Sequence, residues 1–166
     1  MSAAGLIDLY YADECRVSLQ PTVPYGWQFE TEDIFMPTSY SPVLNCFGLL
    51  SKANDLIFET TTASITASFI YQQLDQLSFH LHKDTVVVLD NAKVHTAKLI
   101  QERRPIWEAR GLTLFFLPPY SPQLNLIEIL WRQLKYFWLR PQDYLDFASL
   151  CYAVTLALAA VGTSLN

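Results

Sequence analysis

The spacing of apolar residues changes once along the chain, and this change restricts the possible folds more than any other feature. Three apolar segments joined by short loops come first, at 6–14, 43–50 and 56–62, and they are predicted to be strands. Apolar residues then recur every three to five positions over 63–82, which predicts an amphipathic helix. From there strands and helices alternate. The order predicts an α/β protein in which helices cover both faces of a mixed sheet.

The later elements complete a five-stranded sheet. They are predicted strands at 85–91 and 112–118 and helices at 96–110, 122–138 and 142–160, whereas the loops at 20–42 are expected to include at most a further, short edge strand around 27–35. The first of these helices is expected to be interrupted or ended near Pro105, and the second to begin with Ser121 as its N-cap. A ribonuclease H-like sheet has this order of elements. A dinucleotide-binding fold is disfavoured because no glycine-rich turn follows the first strand.

Composition agrees with one folded domain and restricts its partners. The chain has 166 residues, 51% of them hydrophobic and 16% charged, so 1–166 is expected to form a single domain with a substantial core. The formal net charge of −5 argues against a basic coat for DNA. The charge is uneven, however: residues 1–84 carry ten acids and three bases, whereas 85–166 carry six acids and eight bases. The second half is therefore the one expected to face a polyanion.

Cysteine usage and hydropathy predict a cytoplasmic protein without a membrane span. The three cysteines are far apart and form no C-x-x-C pair, which indicates reduced structural thiols. The most apolar segment, 147–161, is shorter than the roughly 20 residues that cross a bilayer. We expect it to be a buried helix, or a helix that covers a second copy of the chain through its apolar side chains Leu145, Leu150, Val154 and Leu158.

Three acidic residues stand where strands end or a helix begins. Asp13 is predicted to close the first strand, Asp90 closes the fourth, and Glu128 lies near the start of the helix after the fifth. If the first and fourth strands are neighbours, these carboxylates converge at one edge of the sheet. Converging carboxylates suit two Mg²⁺ or Mn²⁺ ions, about 3.5–4 Å apart, in phosphoryl transfer. Each acid taken alone is more simply explained as a loop cap. The residues around the acids must therefore decide between loop caps and a metal site.

The surroundings of these acids carry a specific resemblance. The segments concerned are Asp13-Glu14, Asp90-Asn91 with His95, and residues 118–135, which read PPYSPQLNLIEILWRQLK. In this order, and over nearly the whole chain, they resemble the catalytic domain of mariner-like bacterial insertion-sequence transposases. That family belongs to the retroviral-integrase superfamily and has an Asp-Asp-Glu triad. The resemblance implies a ribonuclease H-like fold and an enzyme that cuts and joins DNA.

The resemblance also implies roles for individual residues. Asp13, Asp90 and Glu128 would be the catalytic triad and would hold two ions of Mg²⁺ or Mn²⁺. Three further residues, Asn91, His95 and Asn125, are expected near this site. Alternation along a strand turns Glu14 away from Asp13, so it is expected to be either an acid that supports the metal ligands from behind or, more simply, a surface charge.

Helix geometry offers a second test of the last segment. At 100° per residue, Asn125, Glu128, Arg132 and Lys135 share one stripe. Beside that stripe lie apolar residues expected to face the core, namely Ile127, Leu130, Trp131, Leu134 and Trp138. Arg132 and Lys135, together with Lys93, are therefore expected to contact the DNA backbone, although an ordinary solvated helix face remains the alternative.

The chain departs from the family pattern in three ways. Thirty-seven residues separate Asp90 from Glu128, slightly more than the family's usual spacing, and Leu126 replaces the usual proline. The helix-turn-helix region that recognises transposon ends is expected to be absent, or to be encoded separately as a partner.

Three functions therefore stay open. The first is a transposase domain that hydrolyses transposon ends and transfers strands to target DNA, as a homodimer. The second is an inactive or domesticated remnant that binds or dimerises. The third is a plain nuclease of the ribonuclease H type.

Overall fold

The computed structural model describes residues 6–20, 42–119 and 121–162. Five strands form one sheet in the order β3-β2-β1-β4-β5. They are β1 (Asp8–Ser18), β2 (Val43–Ser51), β3 (Leu56–Thr61), β4 (Thr85–Leu89) and β5 (Leu112–Phe116). The first three strands pair antiparallel, whereas β1 pairs with β4 and β4 with β5 in parallel. The predicted mixed sheet, with its first and fourth strands adjacent, is confirmed, and the edge strand expected at 27–35 lies outside the described residues.

Helices cover both faces of this sheet, as predicted. They are α1 (Ala67–Phe79), α2 (Lys98–Ala109), α3 (Ile127–Gln133) and α4 (Phe147–Ala159). One core lies between the sheet and α1 with α2, and contains Ala12, Phe47 and Trp107. The other lies between the sheet and α3 with α4, and contains Cys15 and Trp131. Since neighbouring residues of β1 fall in different cores, this central strand is buried on both faces.

The first strand is longer than predicted. It continues beyond Asp13 to Ser18, and it pairs with β2 along this whole length, up to Ser18↔Val43. Cys15 and Val17 are buried while Arg16 is exposed, which is the alternation of a half-buried strand. The expectation that Asp13 closes the strand is therefore wrong: the aspartate lies inside it, where the backbone is held by β2.

Two helix predictions also need correction. Pro105 does not end α2, because it lies on the exposed side while Ile100 and Trp107 anchor the helix on either side of it. The helix predicted over 122–138 consists of a 3₁₀ turn (Pro122–Leu124), then α3, then a π-helical turn (Leu134–Trp138). The Leu139 amide donates to the Leu134 carbonyl, five residues back, at 3.3 Å. This wider turn rotates the end of the helix, so that Trp138 is exposed rather than in the core.

The last helix packs against its own sheet. Leu150, Val154 and Leu158 are fully buried in the core beneath α3 and β2, whereas Leu145 is 80% exposed. The expectation that these four residues cover a second copy is therefore wrong for the three that lie in α4. A 3₁₀ turn (Pro141–Tyr144) precedes α4, and the Asp146 carboxylate caps the helix by accepting from the Ser149 amide at 2.8 Å. In the described parts of the chain, no helix has both the length and the apolar character needed to cross a bilayer.

A glycine in β2 allows α3 to lie directly on the sheet. Gly48 pairs with Asp13, and a Cβ atom at Gly48 would stand 3.0 Å from both Ile127 Cδ1 and Trp131 Cη2. These contacts are closer than ordinary van der Waals distance, so no larger residue fits without moving the helix. Glu128 follows Ile127 in α3, and its distance from β1 therefore depends on this glycine.

A charged cluster joins α1 to α2 on the opposite face. Asp75 Oδ1 accepts hydrogen bonds from Arg103 at 3.0 Å, from Trp107 Nε1 at 2.9 Å and from Arg110 at 3.1 Å. Burial acts to raise the pKa of Asp75, but these hydrogen bonds and the two guanidinium charges hold it below its ordinary value. Because Trp107 is fully buried, its N–H has no water to replace the carboxylate.

We expect Asp75→Ala to lower the free energy of unfolding by about 2–4 kcal/mol, because the buried Trp107 N–H and two arginines lose their acceptor. Urea denaturation measures the loss. Glu102→Ala is the matched control, because Glu102 forms only an exposed pair with Lys98 and its loss should change stability by less than about 0.5 kcal/mol. Equal effects of the two substitutions would contradict this account.

We expect Gly48→Ala to lower the free energy of unfolding by about 1–3 kcal/mol, because the new methyl group overlaps Ile127 and Trp131. Ile127→Val removes one of the two side-chain contacts that the methyl group meets, Ile127 Cδ1, and should itself cost about 0.5–1.5 kcal/mol. The double variant should then be more stable than the sum of the two losses predicts. Additive losses in urea denaturation would show that Gly48 does not set the position of α3.

Candidate active site

The parallel pairing of β1 and β4 brings Asp13 and Asp90 to the same edge of the sheet. The last residue pair between these strands is Tyr11↔Val88, and each aspartate lies two residues further along its strand. The Asp13 side chain is nearly buried, with 9% of its residue surface exposed, because α3 covers this face of β1. Asp90 directly follows β4, and its side chain is 49% exposed. One carboxylate is thus held inside the fold and the other at its surface.

Glu128 approaches the same edge from α3. It lies in the first turn of that helix, where a carboxylate is favoured by the helix dipole, and it is exposed. Its charge acts on Asp13 more strongly than that of any other acid. A cavity of about 390 Å³ separates α3 from the end of β4, and it is lined by Asp90, Asn91, Leu117, Pro118, Pro119, Ser121, Asn125 and Glu128.

Negative charge accumulates around Asp13. Burial raises the pKa of this carboxyl group to about 8, and the charges of Glu128, Glu14 and Asp90 act in the same direction. A hydrogen bond from the Glu14 backbone amide opposes them without cancelling them. Ionisation of Asp13 is therefore disfavoured relative to that of an ordinary aspartate.

A buried histidine connects two acids from different strands. His95 is fully buried; its Nδ1 lies 2.6 Å from Asp90 Oδ1 and its Nε2 lies 2.9 Å from Glu14 Oε2. Burial alone would lower the pKa of His95, but the hydrogen bond and charge of Glu14, followed by Asp90, raise it above the ordinary value. A protonated imidazole donates from both ring nitrogens, one to each carboxylate. The interpretation of Glu14 as a surface charge is wrong, because its carboxylate is bound to His95.

The two asparagines expected near the site hold its backbone in place. The Asn91 side-chain amide donates to the Leu117 carbonyl and so ties the end of β4 to the end of β5. Asn125 is buried, and its Nδ2 donates to the Ala12 carbonyl at 3.2 Å, next to Asp13. Asn125 Oδ1 is also buried, and none of the residues that the structure describes donates a hydrogen bond to it.

The three basic residues expected to contact DNA lie in different environments. Lys93 is exposed in the turn after Asp90, and Arg132 is exposed on α3, one turn beyond Glu128. Lys135 instead approaches the sheet, where its hydrogen bond and charge partly offset the burial that raises the pKa of Cys15 to about 11. Lys135 lies in the π-helical turn (Leu134–Trp138) and is partly buried, whereas Arg132 lies in the regular part of the helix and is exposed.

Sequence reasoning left the role of one residue of this region, Glu14, open and missed another, Gly48. Glu14 belongs to it because the side-chain alternation that turns it away from Asp13 points it at His95. Gly48 belongs to it because it admits α3. A glycine inside an otherwise bulky apolar strand is the signal that could have found the second. No local signal identifies Glu14, because its partner lies 81 residues away in the chain.

The donor set at this edge fits a hard divalent cation. Asp13, Asp90 and Glu128 offer carboxylate oxygens, and Asn125 lines the cavity together with Asp90 and Glu128. A cation would also neutralise the charge that raises the pKa of Asp13. Within 6–20, 42–119 and 121–162, no three acidic, histidine or cysteine side chains are placed to enclose one ion. The site is therefore an open one in which carboxylates converge without forming a closed cage.

Solved structures show the same fold. The Mos1 mariner paired end complex with Mn superposes with a TM-score of 0.67 at 15% identity, over 94% of this chain and 48% of that chain. The Mos1 transposase paired-end complex with left transposon end gives 0.63 at 16% identity, over 93% and 48%. The catalytic core domain of BIV integrase gives 0.50 at 20% identity, over 70% and 74%. This chain thus spans about half the length of the Mos1 chains.

Comparison with curated protein sequences finds no match. A family model described as DDE superfamily endonuclease, in contrast, matches residues 8–151. The matched region contains Asp13, Asp90 and Glu128 and all five strands. Because the match spans most of the chain, the protein belongs to the DDE superfamily endonuclease family.

Proposed function

We propose that this chain is the catalytic domain of a DNA transposase, which cuts phosphodiester bonds at transposon ends and transfers the freed strand to target DNA. The observation that carries the proposal is the convergence of Asp13 and Asp90, two residues beyond the last β1–β4 pair, with Glu128 approaching from α3. Family membership and the fold shared with the Mos1 complexes support it.

We propose that Asp13, Asp90 and Glu128 hold two ions of Mg²⁺ or Mn²⁺. When bound, such ions activate a water or 3′-hydroxyl nucleophile and stabilise the leaving oxygen. Asp13 supplies a rigid carboxylate because β2 pairs with its backbone and its side chain is nearly buried. Asp90 and Glu128 are more exposed and line the cavity that the scissile phosphate would enter. Mos1 complexes with Mn and with Mg support this choice of metal.

The proposed DNA contacts lie beside the acids. Lys93 and Arg132 are exposed, three residues beyond Asp90 and one helical turn beyond Glu128, where they can bind backbone phosphates. Lys135 lies against the Cys15 thiol, and we therefore leave it out of the proposed contacts. Recognition of transposon ends would require a helix-turn-helix module, encoded in the same or a separate chain. A homodimer would hold two ends together.

We expect Asp13→Asn, Asp90→Asn and Glu128→Gln each to reduce Mg²⁺-dependent nicking of supercoiled plasmid DNA by at least about 10³-fold, because metal ions supply several kcal/mol of transition-state stabilisation. Gel electrophoresis of the plasmid measures the rate. Glu102→Gln, on the exposed face of α2, is the control and should nick like the wild type.

The same assay separates the alternatives when an RNA–DNA hybrid is included. Cleavage of the hybrid without plasmid nicking would indicate a ribonuclease H-type nuclease. Metal binding without cleavage of either substrate would indicate a remnant. Undiminished nicking by Asp90→Asn would overturn the proposed function.

The raised pKa of Asp13 predicts how stability depends on pH and metal. A carboxyl group with a folded-state pKa of about 8, against an ordinary 3.8, stabilises the fold below pH 4, and this contribution is lost as pH rises to about 8. Asp13→Asn should therefore flatten the decline in Tm between pH 4 and 8 and raise Tm at pH 8.

Divalent metal should act on the same group. Adding Mg²⁺ at pH 8 should raise the Tm of the wild type and have little effect on Asp13→Asn, because binding to the folded state alone stabilises it. Differential scanning calorimetry measures both effects, with Glu59→Gln on β3 as the exposed control. Parallel Tm curves for wild type and Asp13→Asn would contradict the assignment.

A further inference from the structure

The two oxygens of the Asp90 carboxylate are not equivalent. Oδ1 accepts a hydrogen bond from His95 Nδ1 at 2.6 Å and another from the Ala92 amide at 2.9 Å. No other described residue donates to this carboxylate. Since Asp90 lines the 390 Å³ cavity, the anchored Oδ1 fixes the rotation of the carboxylate and leaves Oδ2 for a ligand in the cavity. The angle that Oδ2 presents to a ligand thus depends on where His95 lies.

The position of His95 depends in turn on Glu14. His95 lies in the turn between β4 and α2, outside the hydrogen-bond ladders of the sheet. Its ring is completely buried, and Nε2 is bound to Glu14 Oε2 at 2.9 Å. Glu14 itself is held in β1 by its pairing with Phe47. The sheet therefore fixes the ring from one side, and the ring fixes Asp90 from the other.

Asp13 and Glu14 face opposite sides of the sheet because side chains alternate along β1. Asp13 faces α3, and the next residue, Glu14, faces His95 on the opposite side of the sheet. The dipeptide Asp13-Glu14 thus supplies one carboxylate of the site directly, and through His95 it orients the carboxylate of Asp90. Any displacement of β1 moves both acids together, which preserves their spacing.

We propose that Glu14 is a positioning residue, which orients Asp90 for metal binding through its hydrogen bond to His95. This inference rests on the proposed function, because it takes Asp90 to be a metal ligand. It assigns to Glu14 a role distinct from that of the three acids that would hold the metal. Groups that orient metal ligands in this way typically change metal affinity 10- to 100-fold when they are removed.

Binding of Mn²⁺ alone to the whole chain tests the proposal without DNA or activity. Electron paramagnetic resonance of free Mn²⁺ gives the affinity of each variant. We expect Glu14→Ala to weaken Mn²⁺ binding about 10- to 100-fold. Glu59→Ala, an exposed glutamate on β3, is the matched control and should bind Mn²⁺ like the wild type.

Two further variants separate the hydrogen bond from the charge. Glu14→Gln removes the charge but keeps a hydrogen-bonding partner for Nε2, so its Mn²⁺ affinity should stay within about threefold of the wild type. Glu14→Asp keeps the charge but is one methylene group too short to reach Nε2, so it should bind as weakly as Glu14→Ala. These variants also keep a polar side chain at the position, and they serve the test if Glu14→Ala does not fold.

A double variant tests whether the two residues act in series. His95→Asn should lose as much Mn²⁺ affinity as Glu14→Ala, and combining them should add little, because both break the same connection. Fully additive losses would overturn the proposal. So would a Glu14→Gln variant that binds as weakly as Glu14→Ala, or a Glu14→Ala variant that binds like the wild type.

Failure of this inference is distinguishable from failure of the proposed function. If the wild type binds no Mn²⁺ and nicks no DNA, the proposed function fails and the positioning role fails with it. If the wild type binds Mn²⁺ and nicks DNA while all Glu14 variants do the same, only the positioning role is overturned.

Discussion

The pairing of β1 on both of its sides is the interaction on which the site depends. β1 pairs with β4 only as far as Tyr11↔Val88, but it continues with β2 to Ser18↔Val43. Beyond Tyr11, β1 no longer pairs with β4. Side chains, instead of a strand, fill the opening on that side of β1. Asn125 donates to the Ala12 carbonyl there, and His95 packs beneath Glu14. The site is thus a place where one strand ends while its neighbour continues.

This opening concentrates acids at a cost in stability. Asp13 is nearly buried among other carboxylates, and its raised pKa shows that the folded chain resists its ionisation. A side chain chosen for stability alone would not carry a charge at this point. The cluster around Asp75, on the other face, is built in the opposite way: every acceptor contact there meets an arginine or a tryptophan N–H. The acids around Asp13 lack such partners among the described residues, and they are therefore the acids that are available to a ligand.

The order of elements could be predicted because it follows from hydrophobic spacing. Buried β-branched residues predicted β4, and recurring apolar residues predicted α1. The failures have a common physical origin in contacts between distant segments. β1 was predicted to end at Asp13 because an acid ordinarily marks exposure, but β2 supplies hydrogen bonds as far as Ser18. Pro105 was predicted to interrupt α2, but the burial of Ile100 and Trp107 keeps the helix continuous.

By itself the sequence determined the succession of strands and helices, because periodicity is a local property, and its resemblance to a known family singled out Asp13, Asp90 and Glu128. The tertiary structure alone decided what surrounds those acids. It brought Glu14 to His95 across 81 residues, and it placed α3 on Gly48. It also brought Lys135 to the Cys15 thiol. Each of these results depends on distances between segments, which no local pattern of residues specifies.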